Sequence, residues 1–158
     1  MTSGDPTQTS QAQTPQAQAL DLVTRYYAAF NAGDAEGMLG LLTDDVQHDV
    51  NEGETRRGLK PFRAFLAKMD AHYRERAEGV VVMATPDGTR AAAEFVIHGE
   101  YLKTDPGLPE AAGQTYVLPV GAFFEIRGEV RGGKIARMTN YYNLAEWTRQ
   151  VGAGTEQA

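Results

Sequence analysis

A chain of 158 residues with 42% hydrophobic content has the size of one domain built around one core. Its net charge of −6 and the scatter of its 15 basic residues argue against nucleic acid and anionic membranes as partners, since both need a clustered positive surface. The absence of cysteine excludes disulfides, thiolate catalysis and thiolate metal sites, and no apolar run approaches the roughly 20 residues that span a bilayer.

The N-terminal "MTSGDPTQTSQAQTPQAQ" lacks a basic region followed by an apolar stretch, so residues 1–16 read as a disordered polar tail and not as a secretory signal. A cytoplasmic location is the expectation. A single domain is expected over 17–149, with 150–158 as a flexible C-terminal tail. Leu20, Val23, Tyr27 and Phe30 recur at helical spacing, with Tyr26 on the edge of that stripe. Gly33 suits the left-handed position that ends such a helix, and Asp34 suits the N-cap of a second, short helix, "AEGMLGLL", closed by Thr43-Asp44-Asp45. "VQHDV" alternates as a short strand, and "NEGETRRG" is a turn-rich connection. Phe62, Phe65, Leu66, Met69 and Tyr73 then keep helical spacing, which predicts a third helix from 59 to about 76.

From Gly79 the texture is that of strands. "GVVVMAT", "RAAAEFVIHGEYLK", "TYVLPVGAFFEIR" and "IARMTNYYNL" are separated by "PDGT", by the loop "TDPGLPEAAGQ" and by the hairpin turn "GEVRGGK". Helices followed by long antiparallel strands predict an α+β domain with the helices on one face of the sheet.

The stretch "RYYAAFNAGDAEGM…LLTDDV" resembles the first two helices of ketosteroid isomerases and SnoaL-like polyketide cyclases, and "FFEIRG…GKIARMTNYYN" resembles their last hairpin. Both groups belong to the nuclear-transport-factor-2-like superfamily. The resemblance spans about residues 18 to 147. It implies a cone-shaped, cystatin-like fold in which three N-terminal helices pack on a curved, mostly antiparallel sheet and enclose a pocket. It also implies a small hydrophobic ligand, no cofactor, and a homodimer through the outer sheet face. Function stays open, because that fold carries isomerases, cyclases, dehydratases, hydrolases and non-catalytic binders.

Carried across residue by residue, the resemblance places Tyr26 where the isomerases hold a hydrogen-bond donor to the developing enolate oxygen. The general-base aspartate falls on Val50, and the second oxyanion acid on Gly121 or Ala122. Neither position can move a proton.

Strand alternation puts Val46, His48 and Val50 on one face, which the resemblance turns inward, so His48 is the leading base candidate and Asp49 the neighbour facing the other way. Asn140 and Tyr142 share with Met138 a face of the last strand that the resemblance turns into the cavity, and Asn140 joins Tyr26 and His48 as a catalytic candidate. Val50, Asn51, Phe62, Phe95, Ile97, Tyr116, Met138, Tyr142 and Trp147 are the expected substrate-binding set. The resemblance turns Phe95, Ile97 and Tyr101 inward and so implies that His98 and Glu100 fall on the outer face, and a register shift of one residue would make them an acid/base pair. They and Asp49 are the second choice. Arg56-Arg57 is either a solvated pair or a receiver for an anionic group. The three histidines have no metal-ligand spacing, so no metal is expected.

The leading functional reading is a cofactor-independent isomerase or cyclase that moves a proton on a hydrophobic ketone or polyketide-like substrate. A non-catalytic binder of an apolar molecule and a hydrolase or dehydratase are the alternatives. The last would need an Asp or Glu inside the cavity, which this strand register does not supply.

Overall fold

In the computed structural model, which describes residues 13–128 and 132–152, the chain begins with helix α1, Pro15–Ala32. Thr14 caps it by accepting from the Ala17 N–H, and Pro15 sits in the first turn, where a missing N–H costs nothing. Gly33 ends it at φ 68°, as its position after Asn31-Ala32 predicts. The buried stripe is Ala19, Leu22, Val23, Tyr26 and Tyr27, so Tyr26 lies at the centre of the inward face and not at its edge.

Asp34 caps α2, which is only Ala35–Leu39. The longer second helix expected over residues 35–42 is corrected: Leu42 already begins strand β1, Leu42–Val50. β2 is the two-residue Arg56–Arg57 inside the turn-rich connection, and it pairs antiparallel with β1, Arg56 opposite His48. Helix α3, Leu59–His72, stops four residues before the expected end, and strand β3, Tyr73–Ala84, follows without a loop. Tyr73 satisfies the helical period and the strand alternation equally well, so spacing alone does not mark the junction.

β4 is Arg90–Tyr101, β5 is Thr115–Arg127 and β6 is Lys134–Tyr142. The six strands lie in the order β2-β1-β6-β5-β4-β3, antiparallel except for the β1–β6 pair. The hairpin turn "GEVRGGK" falls partly on residues 129–131, outside the described residues. A bulge in β3 between Glu78 and Val81, with Gly79 at φ 63°, shifts the inward parity from Tyr73, Glu75 and Ala77 to Val80, Val82 and Ala84. Asn31 holds that region to α1, its amide donating to the Ala77 carbonyl and accepting from the Ala77 N–H.

A fourth helix, α4 at Leu144–Gly152, stands where a tail was expected from residue 150. Val151 is wholly buried, and Gln150 donates to the Val117 carbonyl and accepts from the Val117 N–H. Pro15 and Gln16 likewise belong to α1, with Thr14 as its cap, and residues 1–12 and 153–158 of the two expected tails lie outside the described residues. Among the described residues no helix is long and apolar enough to cross a membrane.

Candidate functional site

Between α1, α3 and the inner face of the sheet lies a cavity of about 420 Å³, within the range of small-molecule sites. Its wall is mainly aromatic and aliphatic, with Phe95 and Ile97 from β4, Leu66 and Met69 from α3 and Met138 from β6. Val50, Tyr116, Tyr142 and Trp147 of the expected binding set also line it, whereas Phe62 stands behind the wall, 1% exposed.

Tyr26 lines the cavity from α1, and its hydroxyl has no protein partner among the described residues. Burial holds that hydroxyl well above the ordinary phenol range, so it is a neutral donor at any physiological pH. Tyr27 beside it is packed against Phe95, ring centroids 4.7 Å apart, and its hydroxyl is buried without a partner.

His48, 2% exposed, lines the wall as β1 alternation predicts. Its ring lies 4.4 Å from Phe62 and 4.7 Å from Phe65, centroid to centroid, and its buried Nδ1 has no hydrogen-bond partner among the described residues. Burial, helped by the nearby Arg56 charge and opposed by Asp49, pushes the imidazole down to about 4. It is therefore neutral at pH 7 and a weak base.

The early start of β3 brings in a group that sequence reasoning missed. Glu75 lies on the inward face and lines the cavity, and its Oε2 accepts a 2.6 Å hydrogen bond from the Tyr116 hydroxyl. Burial raises the Glu75 carboxyl above the ordinary range, and the Tyr116 bond opposes this only in part. The bond crosses an intervening strand: Glu75 pairs with Gly99, and Gly99 pairs with Tyr116. A Cβ on Gly99 would fall inside the Tyr116 ring, so the glycine opens the path from β5 to β3. Asp105, from the loop after β4, is a second carboxylate on the wall; it accepts from the Tyr73 hydroxyl at 2.8 Å and pairs with Lys68 at 3.3 Å. The expectation that the cavity holds no Asp or Glu is thus corrected. The misread helix end hid Glu75; an alternation of Tyr73, Glu75 and Ala77 against Arg74, Arg76 and Glu78 was the available signal.

Asn140 lines the cavity with its side-chain amide unpartnered among the described residues. Asn51 does not line it: it sits at φ 48° in an outer groove, where its Oδ1 accepts from the Tyr142 N–H. Asp49 points outward, with its oxygens taken by Gln47, Thr55 and Thr139, which hold its carboxyl below the usual range although partial burial works the other way. His98, 43% exposed, pairs with Glu78 at 2.8 Å, and Glu100 with Arg74 at 3.6 Å, both on the outer face. The β3 bulge lies beyond this part of the ladder and does not turn His98 inward.

The SnoaL-like domain matches residues 23–138 of the chain. A candidate polyketide cyclase from Pseudomonas putida KT2440 is similar at 56% identity, over 89% of this chain and 99% of that one, with a TM-score of 0.81. A second, from Xanthomonas campestris pv. campestris, shares 51% identity over 87% of this chain and 99% of that one, with a TM-score of 0.83. An NTF2-like protein from Burkholderia xenovorans LB400 shares the fold, with a TM-score of 0.67 at 17% identity over 86% of this chain and 97% of that one. No curated protein matches the sequence. Fold, cavity and sequence agree, and the chain belongs to the SnoaL-like family of nuclear-transport-factor-2-like proteins.

Proposed function

We propose that the protein is a cofactor-independent isomerase or cyclase that moves a proton on a hydrophobic ketone or polyketide-like substrate. The observation that carries this reading is the partly buried Glu75 carboxyl, raised in pKa and oriented by Tyr116 on the wall of an apolar cavity. The base thereby moves from His48 to Glu75, since a carboxylate made more basic by burial suits the task and an imidazole pushed down to about 4 does not.

In the reaction, ionised Glu75 takes a proton from a carbon next to the substrate carbonyl, and the C–H electron pair moves onto the carbonyl oxygen. Tyr26 and Asn140, whose side-chain polar groups have no hydrogen-bond partner among the described residues, are the donors available to that oxygen. Protonated Glu75 then returns the proton. Delivered to another carbon, it completes an isomerisation. In a cyclisation the enolate carbon bonds to a second carbonyl carbon, and the proton goes to the new alkoxide.

The test is hydrogen–deuterium exchange at the α-carbon of bicyclic and tricyclic ketones, 2-tetralone first, followed by NMR in D2O. The wild type is expected to accelerate exchange, and Glu75→Gln, which keeps an acceptor for Tyr116, to lose about 10²–10⁴-fold. Exchange no faster than buffer across the panel, or unchanged in Glu75→Gln, overturns proton transfer and leaves a binding role.

The proposed assembly is a homodimer through the outer sheet face, where Val117, Phe123 and Tyr141 are 45–54% exposed and the last two rings lie 5.8 Å apart. Light scattering is expected to give twice the chain mass, and Phe123→Glu the single mass. A monomeric wild type overturns it.

A further inference from the structure

The cavity is not symmetric in charge. Glu75 is on β3 and Arg56 on β2, the two edge strands of the sheet, so these groups approach the cavity from opposite sides. Three other charged groups bear on it. Lys68 and Asp105 neutralise each other at 3.3 Å. Asp49, behind His48, faces outward and is held by Gln47, Thr55 and Thr139. Arg56 has no carboxylate partner among the described residues. Its guanidinium lies over the Phe65 ring, 5.3 Å from the centroid, which holds a long side chain at the cavity wall.

His48 stands opposite Arg56 in the β1–β2 ladder and touches the same Phe65 ring. It is 2% exposed, and its buried Nδ1 has no hydrogen-bond partner among the described residues, an arrangement that costs free energy. A neutral imidazole has one N–H to give, and a guanidinium gives two in a fork that matches a carboxylate. The two side chains thus converge as donors with nothing to receive them.

We infer that the ligand is an apolar molecule carrying a single carboxylate, which Arg56 and His48 hold at one side of the cavity while the rest of the molecule extends toward Glu75 and Tyr116. A carboxylate entering the other way would meet the Glu75 carboxyl and no unpaired cation. A neutral ligand would leave the Arg56 charge without a counterpart. The inference deepens the reading of this cavity as a substrate site by fixing the substrate class, a hydrophobic keto acid or aryl acid, and its orientation.

The test is calorimetric titration of the full chain with two matched pairs, biphenyl-4-carboxylate against biphenyl-4-carboxamide and naphthalene-2-carboxylate against its amide. In the wild type the acid of at least one pair is expected to bind about tenfold more tightly than its amide, or better, as a charge-assisted hydrogen bond implies. Arg56→Gln is expected to bring acid and amide to about equal affinity, and Arg56→Lys to keep part of the preference because it keeps the charge without the fork. Arg56 is exposed on a two-residue strand, and circular dichroism checks that each variant is folded. Equal affinity in the wild type, a preference that survives Arg56→Gln, or no binding of either pair overturns the inference. Failure of the proton-transfer reading shows separately: acid preference present with ketone exchange absent keeps the ligand class and discards the chemistry.

Discussion

The outer face of the sheet carries Asp49 bonded to Gln47, Thr55 and Thr139, and His98 paired with Glu78, whereas the cavity is lined by His48, Asn140 and the α1 residue Tyr26, whose side chains make no hydrogen bond to the described residues. Asp49 and His48 are adjacent on one strand, so a single step along β1 separates the two regimes. Outside, polar groups answer one another and water covers the rest. Inside, donors stand in an apolar wall at a cost that only a bound molecule offsets. A buried polar side chain left unanswered by its own protein is thus better evidence of a site than a well-bonded cluster.

Glu75→Gln, with its loss of exchange, is the largest effect expected on the inner face. Next comes the pH response of His48. Its folded pKa of about 4 lies below the ordinary 6.5, so between these values the unfolded chain binds more protons. Stability from this group is therefore present above pH 6.5 and lost as pH falls toward 4, by up to about 3 kcal/mol. Urea unfolding at pH 7 and pH 4.5 should show this loss in the wild type and not in His48→Asn. Glu75 acts with the opposite sign, since a raised folded pKa favours the fold at low pH and weakens that contribution as pH rises through it. Asp49, lowered, loses its contribution only as pH falls below the usual carboxylate range, so outer and inner groups titrate in separate windows.

Gly99→Ala sharpens the contrast through geometry. The added methyl displaces the Tyr116 ring, which is expected to destabilise the fold by about 1–3 kcal/mol and to free Glu75 from its orienting bond. A fall in kcat for ketone exchange larger than the change in KM would mark lost orientation, whereas unchanged stability and exchange would break the picture. The smallest effect is expected outside. His98→Ala removes a half-exposed pair with Glu78 and should change stability by less than about 1 kcal/mol, with no change in exchange. A large loss there would erase the distinction between the faces.

Much of the fold was legible because its signals are local. Gly33 and Asp34 punctuate the first helices, and Phe95, Ile97 and Tyr101 alternate along β4 as they must to face inward. β5 runs over the whole of "TYVLPVGAFFEIR". What failed was the boundary at Tyr73, where no glycine or proline interrupts a residue that suits both periods. That one error removed Glu75 from view. His48 and Tyr26 were legible as inward-facing, but the burial that weakens the first as a base depends on Phe62 and Phe65 from a distant helix, which no local pattern encodes. The carboxylate at Asp105 came from a loop, where alternation says nothing.

The side-chain amide of Gln150 has a consequence for how the protein stays in solution. β6 pairs with β5 only from Val120 onward, so the segment from Thr115 to Pro119 is a bare strand edge on that side, of the kind that invites another chain to add on. Gln150 occupies both backbone groups of Val117 there and imitates the missing strand. The same helix carries Trp147 on the cavity wall. Any entry route that swung α4 aside would uncover an aggregation-prone edge together with the cavity, so opening at this end carries a hazard that opening near the loop after β4 does not.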